Sequence, residues 1–101
     1  MKMKIHSEKG GVVVALCDKE LLGRVFKEGE VTLNLKDYRE FYDGETASEP
    51  AVLKQLKNAS SANLVGEKSV ALAIKRGFGR KEDVRTVQGV PHLQVYRILR
   101  D

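Results

Sequence analysis

Apolar positions in this chain fall into short runs separated by glycine-containing polar turns, with two longer segments of helical spacing. Val12-Val13-Val14-Ala15-Leu16 is apolar without alternation, the pattern of a central strand covered on both faces. Lys4-Ile5-His6 precedes it across Ser7-Glu8-Lys9-Gly10-Gly11, and two β-rich runs around a Gly-Gly turn predict a hairpin. After the turn Glu28-Gly29-Glu30, the segment Val31-Thr32-Leu33-Asn34-Leu35 alternates strictly, which predicts a strand with Val31, Leu33 and Leu35 toward the core. Residues 84–87 and 93–99 read as two further strands joined by Gln88-Gly89-Val90-Pro91-His92. Pro91 lacks an N–H and is expected in that turn or at the first strand position.

The most apolar long segment, residues 60–77, reads as a central helix. Ser60 or Ser61 would cap its start, Gly77 fits the left-handed position past its end, and Lys75 and Arg76 favour the negative end of the dipole. Val70, Ala73 and Ile74 share one face at 100° per residue. Gly66 inside this span costs about 1 kcal/mol relative to Ala, and close packing of helix on sheet is the expected reason for it. A second helix opens at Ser48-Glu49-Pro50 and carries the apolar stripe Val52, Leu53, Leu56 and Ala59. A short break near residues 58–60 would then make the two helices an αα-hairpin. Asp18 is expected to cap a short turn over residues 19–22, closed by Gly23. The resulting expectation is a single α+β domain over 1–101, a mostly antiparallel sheet with a helix pair packed on one face.

Composition changes this picture mainly through charge. Residues 1–74 hold 11 Lys/Arg and 11 Asp/Glu, so the whole net charge of +4 arises in the last quarter. Lys75, Arg76, Arg80, Lys81 and Arg85 are its candidate phosphate contacts, joined by Arg97 and Arg100 in the count and opposed by Glu82, Asp83 and Asp101. Tyr38, Phe41 and Tyr42 are three of the six aromatic residues and are expected to fill core rather than stack bases. One cysteine, Cys17, rules out an internal disulfide, fits a reducing cytoplasm and is expected to be buried and structural. No run approaches the 18 apolar residues of a membrane span, and the N-terminus lacks the apolar stretch of a signal peptide.

Complete catalytic signatures are missing. The glycines never fall as a phosphate-binding loop, and neither Cys-x-x-Cys nor His-Glu-x-x-His occurs. With two histidines and one cysteine, neither a metal nor another cofactor is expected. The weak catalytic candidates are Glu45, Asn63, Glu67, His92 and Gln94. A cleft joining several of them would let Glu67 or His92 act as a general base. His92 and Gln94 should share a strand face, where an imidazole hydrogen bond to Glu67 or Asn63 can form, and the carboxylate as partner would raise the imidazole pKa.

Four stretches in register carry a resemblance over nearly the whole chain. They are residues 13–23 (Val-Val-Ala-Leu-Cys-Asp-Lys-Glu-Leu-Leu-Gly), 41–45 (Phe-Tyr-Asp-Gly-Glu), 62–67 (Ala-Asn-Leu-Val-Gly-Glu) and 89–94 (Gly-Val-Pro-His-Leu-Gln). Together they resemble the archaeal domain of unknown function family 424. The resemblance implies a small archaeal cytoplasmic protein and supplies no catalytic residues to carry over.

The functional expectation is a non-catalytic binding module for RNA or a ribonucleoprotein or acidic partner, working through the basic last quarter. The alternatives are a small enzyme built on Glu67 and His92, and an assembly subunit pairing through an exposed strand at residues 12–16 or at the end of the chain.

Overall fold

Two local hairpins frame the sheet. The first joins β1 (Lys2–Glu8) to β2 (Gly11–Cys17), with Glu8 opposite Gly11 and Lys2 opposite Cys17. The second joins β7 (Arg85–Val87) to β8 (Val90–Tyr96). In this computed structural model the described residues are 1–96. The expected strand positions Arg97, Ile98 and Leu99, and the charge of Arg100, lie outside them. Between the hairpins runs β6 (Ser61–Val65), parallel to β2 and antiparallel to β8. A short β5 (Glu45–Thr46) pairs with β1 at the far edge, giving the order β5-β1-β2-β6-β8-β7. This is an α+β fold with a mostly antiparallel sheet, as expected.

The strand β6 overturns the expected helix over 60–77. Ser61-Ala62-Asn63-Leu64 alternates half-buried and buried positions, Val65 is buried as well, and the backbone completes the ladder on β2. Gly66 is the break: its φ of +109° and ψ of 157° belong to a region that essentially only glycine occupies. The helix that follows, α3, runs only over Glu67–Lys75. Ser60 therefore caps nothing; its Oγ accepts from Val12 N–H at 3.2 Å and fixes the start of β2. Gly77, at φ +80°, does end α3 in the left-handed conformation. With β6 between them, α2 (Glu49–Asn58) and α3 are not an αα-hairpin. Ser48 caps α2 as expected, accepting from Ala51 N–H.

Both helices nevertheless pack on one face. Val52, Leu56 and Ala59 of α2 and Val70, Leu72 and Ala73 of α3 meet Val14, Leu16, Ala62, Leu64 and Leu93 of the sheet. Full burial of such side chains contributes roughly 1.5–3 kcal/mol each. The opposite face carries Ala15, Cys17, Val65 and Val87 beneath a separate hairpin, β3 (Val25–Glu28) with β4 (Val31–Asn34), and the single turn α1 (Arg39–Tyr42). Hence β2 is covered on both faces and flanked on both edges, which removes residues 12–16 as an exposed pairing strand. Strand β3 was not foreseen, and Val31, expected in the core, is 57% exposed because only Leu33 and Leu35 of its row reach the sheet. Tyr42 is buried and Phe41 half-buried, whereas Tyr38 is exposed. No helix among the described residues is long and apolar enough to cross a membrane.

Candidate functional site

The turn between β7 and β8 consists of Gln88 and Gly89 alone, with φ of 51° and 77°. Two positive φ values in a two-residue loop match a type I′ hairpin. Val90, Pro91 and His92, expected in the connection, therefore belong to β8. Pro91 stands opposite Thr86 but one position beyond the ladder with β6, which ends at Val65 and His92. Its missing N–H thus leaves no gap in that ladder.

Strand β7 pairs only with Val90–His92, so β8 beyond that point has no strand on this side. The segment 77–83 runs alongside instead, pressed so close that a side chain at Gly79 would strike Leu93. Between this segment and β8 lies a cleft of about 770 Å³ whose walls include Arg80, Arg85, His92, Gln94 and Tyr96. A volume of this order suits a small organic ligand or a nucleotide.

The polar side chains of the sheet form a ladder here. Tyr96 Oη–H donates to Gln94 Oε1 at 3.1 Å, and Gln94 Nε2–H donates to Asn63 Oδ1 at 3.1 Å. Asn63 and Gln94 are cross-strand partners, and Tyr96 follows on the same face two residues later. Tyr96 is 71% exposed. His92 shares this face, as expected, and stands opposite Arg85. Its Nε2 is buried and finds no hydrogen-bond partner among the described residues. Burial, helped by the Arg85 charge, lowers the imidazole pKa. The expected rise is thus reversed: no bond to Glu67 or Asn63 forms, and the charged neighbour is a cation.

The five catalytic candidates do not assemble. Glu45 lies on β5 at the opposite edge of the sheet. Glu67 is exposed in the first turn of α3, beside a separate hollow of about 260 Å³ shared with Asp18 and Pro91. Only Asn63 and Gln94 touch, with His92 next to Gln94 on the strand face. Of the basic residues, Arg80 and Arg85 line the cleft. Lys75 ends α3, Arg76 caps it, and Lys81 begins a 3₁₀ turn, all three exposed. Arg80 is held by Glu82 at 3.4 Å and Asp83 at 3.8 Å, exposed pairs that contribute little and are readily exchanged. No group of three or more His, Cys, Asp or Glu among the described residues is placed to hold a metal. Cys17 is fully buried, its thiol donating to Asp18 O at 3.3 Å.

Sequence reasoning missed Tyr96. The signal was the alternation His92, Gln94, Tyr96, which puts an aromatic residue on the polar row of the last strand. It also missed the role of Asp18. The short turn after it exists as a 3₁₀ turn, Lys19–Leu21, but the Asp18 side chain does not cap it. The carboxylate instead accepts from Lys68 N–H, Ser69 N–H and Ser69 Oγ–H at the start of α3.

No curated protein matches this chain. Among solved structures it is similar to an uncharacterized conserved protein from Methanopyrus kandleri, with 28% sequence identity and a TM-score of 0.79 over 99% of this chain and 93% of that one. The family model described as Protein of unknown function (DUF424) matches residues 5–98, and the chain belongs to that family.

Proposed function

We propose that the protein is a non-catalytic RNA-binding module that engages phosphates through the basic segment after α3. The observation that carries this reading is the placement of Arg80 and Arg85 in one cleft with the exposed ring of Tyr96. Arginine supplies charge-assisted contacts to phosphate, and an exposed aromatic supplies a stacking surface; single-strand binders combine the two. Lys75, Arg76 and Lys81 flank the same segment, so the described residues from 75 to 96 hold five Lys/Arg against Glu82 and Asp83. The scattering of Glu45, Glu67 and His92 gives catalysis no comparable support.

The test is fluorescence anisotropy with a labelled RNA of mixed sequence at about 50 and about 200 mM salt. Affinity should fall steeply with salt. Replacing one phosphate contact, Arg85→Gln or Lys81→Gln, should flatten the log–log slope by about 0.7 for single strands. Undetectable binding at the lower salt overturns the reading.

A further inference from the structure

We infer that Arg85 is a phosphate contact of this cleft and that filling it draws a proton onto His92, so that RNA binding tightens as the pH falls. This rests on the RNA-binding reading above and adds to it one anion subsite and the condition that regulates it.

The subsite is a cross-strand pair. Arg85 and His92 are directly opposed on β7 and β8, so their side chains leave the same face of the sheet about 5 Å apart at Cβ. Both line the cleft. Arg80 on the same wall is paired with Glu82 and Asp83, but among the described residues no carboxylate lies within ion-pair distance of Arg85. His92 Nε2 is buried and has no hydrogen-bond partner among them either. A cation without a counter-charge, beside an imidazole without an acceptor, favours an anion. A phosphodiester offers the guanidinium two oxygens at once, the bidentate arrangement that arginine binds best.

The coupling follows from the same pair. In the free protein an imidazolium at His92 would be partly stripped of water and would face the Arg85 charge, and burial first and Arg85 second lower the imidazole pKa. An anion on Arg85 offsets the second cause and brings a negative charge close to the ring. No direct bond to the ring is needed, because the effect is one of charge. The bound state therefore takes up its proton at a higher pH than the free state. Between those two values affinity rises as pH falls, by at most about tenfold per pH unit for one proton; above both and below both it levels off.

The other charges around the ring have their own places. Segment 77–83 brings Arg80, Glu82 and Asp83, which pair with one another. Glu28, from the hairpin packed over β7, accepts from Gln88 N–H at the turn. On β8 the same face continues with Gln94 and Tyr96, and across the ladder with β6 the ring is opposite Val65. Helix α3, ending in Lys75 and Arg76, lies on the opposite face of the sheet. The second histidine, His6, is on β1, separated from β8 by β2 and β6. Arg85 is the charge that acts on His92.

The experiment follows the anisotropy of a labelled oligouridine at constant low salt, at about pH 7.5 and about pH 6.0, a range clear of the region near pH 4 in which carboxylates change charge. Neither the phosphodiester nor uracil changes charge over that range. Affinity of the parent protein should rise about threefold or more at the lower pH. His92→Gln should bind equally at both, and Arg85→Gln should bind more weakly and lose the pH dependence. NMR supplies a readout that a merely structural role would not move. The His92 titration midpoint should shift to higher pH when the strand is added to the parent, and should stay in place when it is added to Arg85→Gln. Thermal melting at both pH values checks that the variants remain folded. Parent affinity that is the same at both pH values, or a pH dependence that survives in His92→Gln, overturns this inference and leaves salt-dependent RNA binding standing. Failure to bind the strand at either pH overturns both.

Discussion

Asp18, one residue past the end of β2, and Ser69, in the first turn of α3, are joined twice: the Ser69 backbone N–H and hydroxyl both donate to Asp18 Oδ1, at 2.9 and 2.7 Å. The other carboxylate oxygen accepts from Lys68 N–H at 3.0 Å. These are the donors that an N-cap side chain normally satisfies. The residue at the N-cap position is Gly66, which has no side chain, and the carboxylate comes from fifty residues upstream. It also places a negative charge at the positive end of the helix dipole.

Asp18→Ala should destabilise the protein by about 2–3 kcal/mol, because it strips a buried cap and leaves Ser69 Oγ and two N–H groups without their acceptor. Asp18→Asn keeps one oxygen and should lose less. Urea unfolding checks this: the midpoint should move while the slope stays constant.

Gly66→Ala should be at least as damaging as Asp18→Ala. A Cβ at Gly66 would strike the Asp18 carboxylate, and the backbone there has φ +109°. Gly77→Ala is the control. Its φ is also positive, but its Cβ would meet open space, so only the left-handed strain of about 1 kcal/mol applies. Strain and crowding both exceed those at Gly77, so the urea midpoint of Gly66→Ala should fall well below that of Gly77→Ala.

Much of the architecture was legible because strand burial in this sheet leaves a periodic trace. The unbroken run 12–16 gave the doubly covered β2, and the stripe Val52, Leu56, Ala59 gave α2. The helix over 60–77 failed at Gly66. A glycine between two apolar runs fits a helix interior as well as a strand-to-helix break, and only the partner that fills its missing side-chain space, Asp18, decides between them. The Asn63–Gln94 pair depends on strand order, which no local pattern encodes. Tyr96 was readable as an alternating position, but its exposure was not, since that depends on β7 beginning only at Arg85, opposite His92, and leaving Tyr96 without a strand partner on that side.

His92 should make stability fall in mild acid. Its folded pKa is depressed by burial and by Arg85, so below an unfolded value near 6.5 the unfolded chain takes up a proton that the native state refuses. Stability is then full above about pH 6.5 and declines as pH falls, until the native imidazole is also charged. Denaturant midpoints at about pH 7.5 and about pH 5.5 should differ more in the parent than in His92→Gln. Equal differences would remove the histidine from the acid response.

Cys17 should be inert in the folded protein. Burial, reinforced by the Asp18 and Glu20 charges, pushes its thiol up to about 12, and the side chain is fully enclosed. A chromogenic disulfide reagent at about pH 8 should find no thiol in the native state and one equivalent in denaturant. Rapid native labelling would mean that the β2–β6 region opens far more often than its packing implies.

The parallel pairing of β2 with β6 has a kinetic consequence. Each terminal hairpin closes over a two-residue turn and can form within microseconds. Joining them requires Val13 to find Ser61 across a loop of about fifty residues, a closure whose entropy is lost before any ladder bond compensates it. The two hairpins are local in sequence and their union on β6 is not, so closing β2 onto β6 carries the larger entropic cost. Until β6 arrives, the inner edge of each hairpin remains an open template for another chain.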